Sequence, residues 1–359
     1  MEGMEINMLE FYNGKKVFIT GHTGFKGSWL SKILIMSGAK ICGFSQLPST
    51  KPALFDILNI GNDMVSIIGD IRDLNKVEKA IRDFKPDIVF HLAAQPIVRE
   101  SYKNPVDTFE TNIMGTVNLL EAIRNCKSVK SVVNVTTDKV YENKEWEWGY
   151  RENEQLNGFD PYSNSKSCSE LVTSSYKNSF FSKQLDISIS TARAGNVIGG
   201  GDFSVDRIVP DCIKAAIQGE NIIIRNPNSI RPYQHVFEAL SAYLLIAERQ
   251  YNNKSFEGCY NIGPNEEGCV TSGELANIFC RNWPGTKWIY ELEANAKHEA
   301  NFLKLDCSKI KAIFGWKPSV NIDESIRLTV EWTKAYIHNY DIQGISENQI
   351  LEFFKSKEV

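Results

Sequence analysis

Tyr162-Ser163-Asn164-Ser165-Lys166 places a phenol and an amine four residues apart. On a helix that spacing puts both side chains on one face. An ammonium beside a phenol favours the phenolate, so Tyr162 can accept a proton near neutral pH. The spacing alone recurs by chance, and a second motif gives it weight. Thr20-Gly21-His22-Thr23-Gly24-Phe25-Lys26-Gly27 carries glycines in the pattern GxxGxxG near the start of the chain. A turn of that kind lets backbone amides and a helix N-terminus approach a pyrophosphate with no Cβ in the way. Glycine spacing is weak by itself; its value depends on a strand before it and a helix after it.

The sequence supplies both. The run KVFIT at Lys16–Thr20 reads as a strand, and residues 24–37 read as a helix. Residues 40–44, 65–68, 87–92, 131–136 and 186–191 read as further strands, with helices at 74–84, 105–126 and 162–176. Within 105–126, Val106, Phe109, Ile113, Val117, Leu120 and Ile123 recur at helical spacing, which predicts one long helix with one buried face. Strand–helix alternation implies an α/β fold built on a doubly wound parallel sheet covered on both faces. Residues 14–195 are expected to form the dinucleotide-binding domain. Residues 196–359, with Gly199-Gly200-Gly201 and scattered arginines, are expected to form mainly a smaller substrate-binding region. Some of its late segments are expected to return to the first domain.

The bulk numbers fit that picture. With 359 residues, 42% hydrophobic and 23% charged, the chain can bury a sizeable core. A net charge of −4 gives no basic field for nucleic acid or an anionic membrane. No apolar run approaches the ~20 residues that span a bilayer. Met1 to Asn13 lacks the basic and apolar regions of a signal peptide. The eight cysteines form no CxxC pair, so they read as reduced thiols, with no metal site. A cytoplasmic enzyme is the expectation.

Further motifs follow in an order that resembles the extended short-chain dehydrogenase/reductase family, whose domain is of the Rossmann type. The GxxGxxG loop comes first. Gly69-Asp70-Ile71-Arg72-Asp73 looks like the family's adenine-contacting segment, and His91-Leu92-Ala93-Ala94-Gln95 looks like its HLAA signature. Asn112 lies where the family keeps an asparagine. The resemblance covers nearly the whole chain. It implies a bound NAD touched by Gly21, Thr23, Gly24, Phe25, Lys26, Gly27, Ser45, Asp70, Ile71, Leu92, Ala93, Ala94, Gln95 and Thr136, together with Tyr162 and Lys166. One departure bears on the cofactor. After the second strand the family often has an acid for the ribose hydroxyls, whereas this chain has Phe44-Ser45-Gln46-Leu47-Pro48. Neither an acid nor an arginine stands there, so NAD is favoured over NADP on the resemblance.

Val135-Thr136-Thr137-Asp138-Lys139-Val140-Tyr141 narrows the class. By resemblance Thr137 bonds the sugar 4-hydroxyl. An aspartate directly after that threonine resembles the nucleotide-sugar 4,6-dehydratases, where it is the acid for the departing 6-hydroxyl. The dehydratases of dTDP-glucose and GDP-mannose carry glutamate next; this chain has Lys139. Thr137-Asp138-Lys139 resembles the CDP-glucose branch, as do residues 193–203, 206–211 and 298–306. The implied substrate is CDP-glucose, and the implied product is its 4-keto-6-deoxy sugar, used by such enzymes for bacterial surface polysaccharide. Lys139 as neutral amine is the expected base for the C5 proton, or else it orients Asp138. Asn196, Arg207, Arg231 and His298 are the expected substrate contacts, an arginine fork being suited to a diphosphate. The 105–126 and Tyr162 helices resemble the family's dimer contact, so a homodimer or homotetramer is expected. Two rivals stay open: a sugar-nucleotide 4-epimerase or 4-ketoreductase of the same fold, and a catalytically idle NAD-sensing protein.

Overall fold

A computed structural model describes residues 8–291 and 302–357. Seven strands form one parallel sheet: β1 (Lys16–Thr20), β2 (Lys40–Ser45), β3 (Val65–Ile68), β4 (Ile88–His91), β5 (Ser131–Thr137), β6 (Ser188–Ala194) and β10 (Cys259–Ile262). Their spatial order is β10-β6-β5-β4-β1-β2-β3. The order reverses between β1 and β4, which opens a crevice at the carboxyl ends of those strands.

Strand alternation sorts side chains to the two faces. Val17 and Ile19 of β1 join Ile88, Phe90, Val133 and Val135 in a core under the helices Phe25–Met36 and Val236–Asn252. Phe18 joins Val89 and Val132 on the other face, under Leu74–Phe84 and Gly115–Arg124. Both faces are therefore covered, as a parallel sheet requires.

The expected long helix is helical from Pro105 to Arg124, but not uniformly α. Glu110–Met114 forms a π turn between Pro105–Phe109 and Gly115–Arg124. The widened turn carries buried Asn112, whose side chain accepts from the Gln95 amide at 2.8 Å and donates to the Gln95 carbonyl at 3.1 Å and Ser165 Oγ at 2.8 Å. Such bulges often mark functional sites; this one ties the HLAAQ turn to the Tyr162 helix.

The rest of the chain adds two small sheets. β7 (Asn196–Ile198) pairs with β9 (Ile230–His235), which pairs antiparallel with β11 (Cys269–Thr271). β8 (Ile222–Ile224) pairs with β12 (Trp288–Tyr290). They share a core with the helices Ile208–Gln218, Ser272–Asn282 and Ile322–Ile337. Among the described residues, no helix is long and apolar enough to cross a membrane, and no cluster of His, Cys, Asp or Glu is placed to hold a metal.

Candidate active site

The glycine loop divides its glycines by task. Gly21 has φ +76° and packs on the backbone of Ala93, where a Cβ would come within 2.7 Å of the Ala93 nitrogen. A Cβ on Gly27 would overlap the Gly21 carbonyl oxygen. Gly24 is different. It is the N-cap of the Phe25–Met36 helix, has no side-chain cap, and a Cβ there would meet protein only at 3.4 Å. The first two positions are closed by the protein itself, and the third leaves the helix N-terminus open to an anion. Residues present therefore fit a dinucleotide pyrophosphate. Around the loop, Thr23 Oγ1 lies 2.8 Å from Ser45 Oγ and donates to the Gln46 carbonyl at 2.9 Å. Gln46 Nε2 donates to Asp70 at 2.9 Å, and Arg72 binds the same carboxylate, holding it at about 2. A carboxylate from the turn after β3 thus stands beside Gln46 at the end of β2.

The Tyr162 helix starts where its sequence says it must. Asp160 caps it, accepting from the Ser163 amide at 3.0 Å, and Pro161 occupies the first turn. Tyr162, Lys166 and Glu170 then stand at four-residue steps on the face turned to β5. Lys166 Nζ donates to the Val135 carbonyl at 3.2 Å, and burial lowers its amine to about 8, against the pull of Glu170. Burial pushes the Tyr162 phenol up to about 12, opposed by a hydrogen bond with Thr137 and by the charge of Arg207. Lys166 is thus engaged with the Val135 carbonyl, and the charge of Arg207 helps to hold the phenol down.

Thr137 ends β5 with its hydroxyl donating to Asp138 Oδ1 at 2.9 Å and accepting from the Lys139 amide at 3.4 Å. Asp138 is 1% exposed, and among the described residues its buried Oδ2 has no hydrogen-bond partner. Burial raises its carboxyl above the usual range, against the pull of Lys139, the Thr137 bond, Arg231 and Lys26. A carboxyl so placed is suited to hold and give a proton. Thr136 donates its hydroxyl to buried Glu170 at 2.5 Å.

The sequence reading took Lys26 only as a cofactor contact and did not single out Glu170. Lys26 reaches from the glycine loop into this cluster: its amine lies 3.4 Å from the Tyr243 hydroxyl and feels Arg207, Lys166, Asp138 and Asp202. Burial, then the neighbouring cations, lower it to about 7. Glu170 accepts two bonds from Arg193, at 2.9 and 2.8 Å, and Arg193 also reaches Tyr141 Oη at 2.9 Å. The pair is 3% and 2% exposed. Glu170 was visible as an acid one turn after Lys166; its partner on β6 depends on sheet order.

Of the expected substrate contacts, Arg231 is buried on β9, its guanidinium donating to the Ile230 carbonyl at 2.8 Å. Arg207 donates to Asp202 at 3.3 Å. The fields of both reach the Asp138–Tyr162 cluster. Asn196 opens β7. His298 lies outside the described residues.

Comparison with known proteins agrees with this geometry. The profile described as GDP-mannose 4,6 dehydratase matches residues 18–329, and the chain belongs to that family. The CDP-glucose 4,6-dehydratase of Salmonella typhimurium is 46% identical over 352 residues, 96% of this chain and 98% of the relative. The dTDP-glucose 4,6-dehydratase of Haemophilus influenzae is 26% identical over 342 residues, 88% of this chain and 97% of the relative. Among solved structures, the Thermus thermophilus UDP-glucose 4-epimerase complexed with NAD superposes with a TM-score of 0.78 at 27% identity, covering 89% of this chain and 99% of that one.

Proposed function

We propose that the protein converts CDP-glucose to CDP-4-keto-6-deoxyglucose and water with a tightly held NAD. The observation that carries this reading is Asp138: a buried carboxyl, pushed up by burial, bonded to the hydroxyl beside the Tyr162 phenol. Oxidation and reduction at C4 alone need no such acid, which disfavours the epimerase and ketoreductase alternatives. The cytidine assignment rests on the Salmonella relative and on Lys139 after Asp138. NAD over NADP is supported by the adenosine end, where Arg72 is shared by Asp70, Asp107 and Glu110 and little positive charge remains for a 2′-phosphate.

A bound NAD, held at the Gly21–Gly27 loop, would supply the acceptance of hydride from C4 and its return to C6. The chain's own residues handle protons and position. Tyr162 takes the proton of the 4-hydroxyl, which Thr137 orients, and Lys166 holds the nearby ribose. The C4 ketone acidifies C5, and Lys139 either removes that proton or orients Asp138. Asp138 protonates the departing 6-hydroxyl. Arg207, Arg231 and Asn196 hold the diphosphate. The Pro105–Arg124 and Tyr162 helices, which expose Val106, Met114 and Leu171, carry the contact of a homodimer. Incubation with NAD and CDP-, dTDP-, UDP- and GDP-linked sugars tests the reading: CDP-glucose alone should be dehydrated efficiently, with the hydrogen of C4 recovered at C6. Loss of that hydrogen to solvent, or preference for another base, overturns it.

A further inference from the structure

The chain leaves the large sheet at Gly195, between β6 and β7. Its amide donates to the Ile262 carbonyl at 3.4 Å, and the next residues pair with β9. The φ of Gly195 lies outside the left-handed region, so the backbone there would accept any L residue. The constraint is space. A Cβ on Gly195 would stand 2.8 Å from Pro232 Cγ, 3.1 Å from the Pro232 carbonyl oxygen and 3.3 Å from Asp138 Oδ2.

The two oxygens of Asp138 are not equivalent. Oδ1 accepts the Thr137 hydroxyl at 2.9 Å, and Oδ2 is buried with no hydrogen-bond partner among the described residues. A protonated carboxyl keeps one oxygen as donor. With Oδ1 already an acceptor, the proton sits on Oδ2, beside Gly195. In the elimination the C5–H electron pair forms the second C5–C6 bond, and the C6–O6 bond breaks. O6 leaves as water with the Oδ2 proton, and Asp138 is left a carboxylate. The neighbours of Gly195 differ in what they can yield. Pro232 lies in β9, paired with Cys269 of β11, and its ring is rigid. The carboxyl is the free end of a side chain, tied at Oδ1, so it is the part that moves when the space is filled. We propose that Gly195 is a positioning residue for the elimination: its missing side chain is what keeps Asp138 Oδ2 aimed at the departing 6-hydroxyl. A misplacement of about 1 Å is enough to cost ~10²-fold in rate. Oxidation at C4 does not use Oδ2, so the two halves of the reaction respond differently to a methyl at this point.

This rests on the dehydratase reading, and the experiment separates the two. The wild type is compared with Gly195→Ala and with Gly195→Ala/Pro232→Ala. The double variant removes the ring carbon that the methyl meets first and leaves its approach to Asp138 Oδ2. Each is loaded with NAD and mixed with CDP-glucose for a single turnover. NADH absorbance follows C4 oxidation, and the 4-keto-6-deoxy sugar follows elimination. Both steps need folded enzyme, so the ratio of their rates does not depend on how much of a variant folds. In both variants elimination should fall at least tenfold more than C4 oxidation, with 4-keto-glucose and NADH building up on the enzyme. CDP-6-deoxy-6-fluoroglucose, whose fluoride leaves without a proton, should narrow that gap. Equal losses in the two steps, a gap that vanishes when Pro232 is cut back, or a gap unchanged with the fluoro sugar overturns the proposal. Absence of dehydration in the wild type overturns the functional reading instead.

Discussion

Lys26→Met should stabilise the protein, and the gain should depend on pH in a defined window. An unfolded lysine titrates at 10.5; in the fold, burial and the nearby Arg207 and Lys166 bring Lys26 to about 7, with Asp138 and Asp202 pulling the other way. Between those values the unfolded chain holds a proton the folded chain lacks, so this residue makes stability rise with pH. Below about 7 the full penalty of holding the ammonium in the fold is present; above 10.5 it is gone. At about 1.4 kcal/mol per pH unit, that window caps the penalty near about 5 kcal/mol. Methionine has similar reach and no charge, so the gain over wild type should be on the order of 3–5 kcal/mol at pH 7 and should shrink by about 2 kcal/mol by pH 9. Urea unfolding of both proteins, without cofactor, at a series of pH values measures it. A gap that stays constant from pH 7 to pH 9, or a variant less stable at pH 7, would refute the reasoning.

Three further outcomes are expected. Tyr162→Phe removes the proton acceptor and keeps the ring, so CDP-glucose binding should persist while C4 oxidation falls about 10²-fold or more; turnover at the wild-type rate excludes the assignment. Arg231→Ala should weaken CDP and CDP-glucose alike, by roughly 1.5–3 kcal/mol in calorimetric titration, since the diphosphate is common to both; unchanged CDP affinity returns Arg231 to a structural part. Lys139→Met should let C4 oxidation proceed and stop exchange of the C5 hydrogen with solvent deuterium; exchange at the wild-type rate means another group is the base.

The strands and helices around the crevice were readable because each rests on local pattern. Val17, Phe18 and Ile19 alternate between two cores, and Asp160-Pro161 announces the Tyr162 helix. The glycine loop was readable for the same reason. What stayed hidden depends on which distant segments lie side by side. The charge of Lys26 reaches Asp138 only because β1 and β5 flank β4. The Glu170–Arg193 pair forms only because β6 follows β5. The π turn at Glu110–Met114 keeps a helical sequence; it carries Asn112, which reaches Gln95 and Ser165, and periodicity encodes neither. The engagement of Lys166 with the Val135 carbonyl likewise follows from burial that spacing cannot give.

The position of β10 has a practical consequence. After β6 the chain leaves the large sheet, builds β7, β8 and β9, and comes back to pair Cys259–Ile262 with Thr191–Ala194. A fragment ending near residue 195 would leave that flank of β6 as a bare edge, with unpaired amides and carbonyls along a strand that is buried in the whole chain. Such an edge is a template for other strands. Expressed alone, the nucleotide-binding half should self-associate into insoluble material. Supplying residues 196–359 as a separate chain should restore solubility by completing the edge.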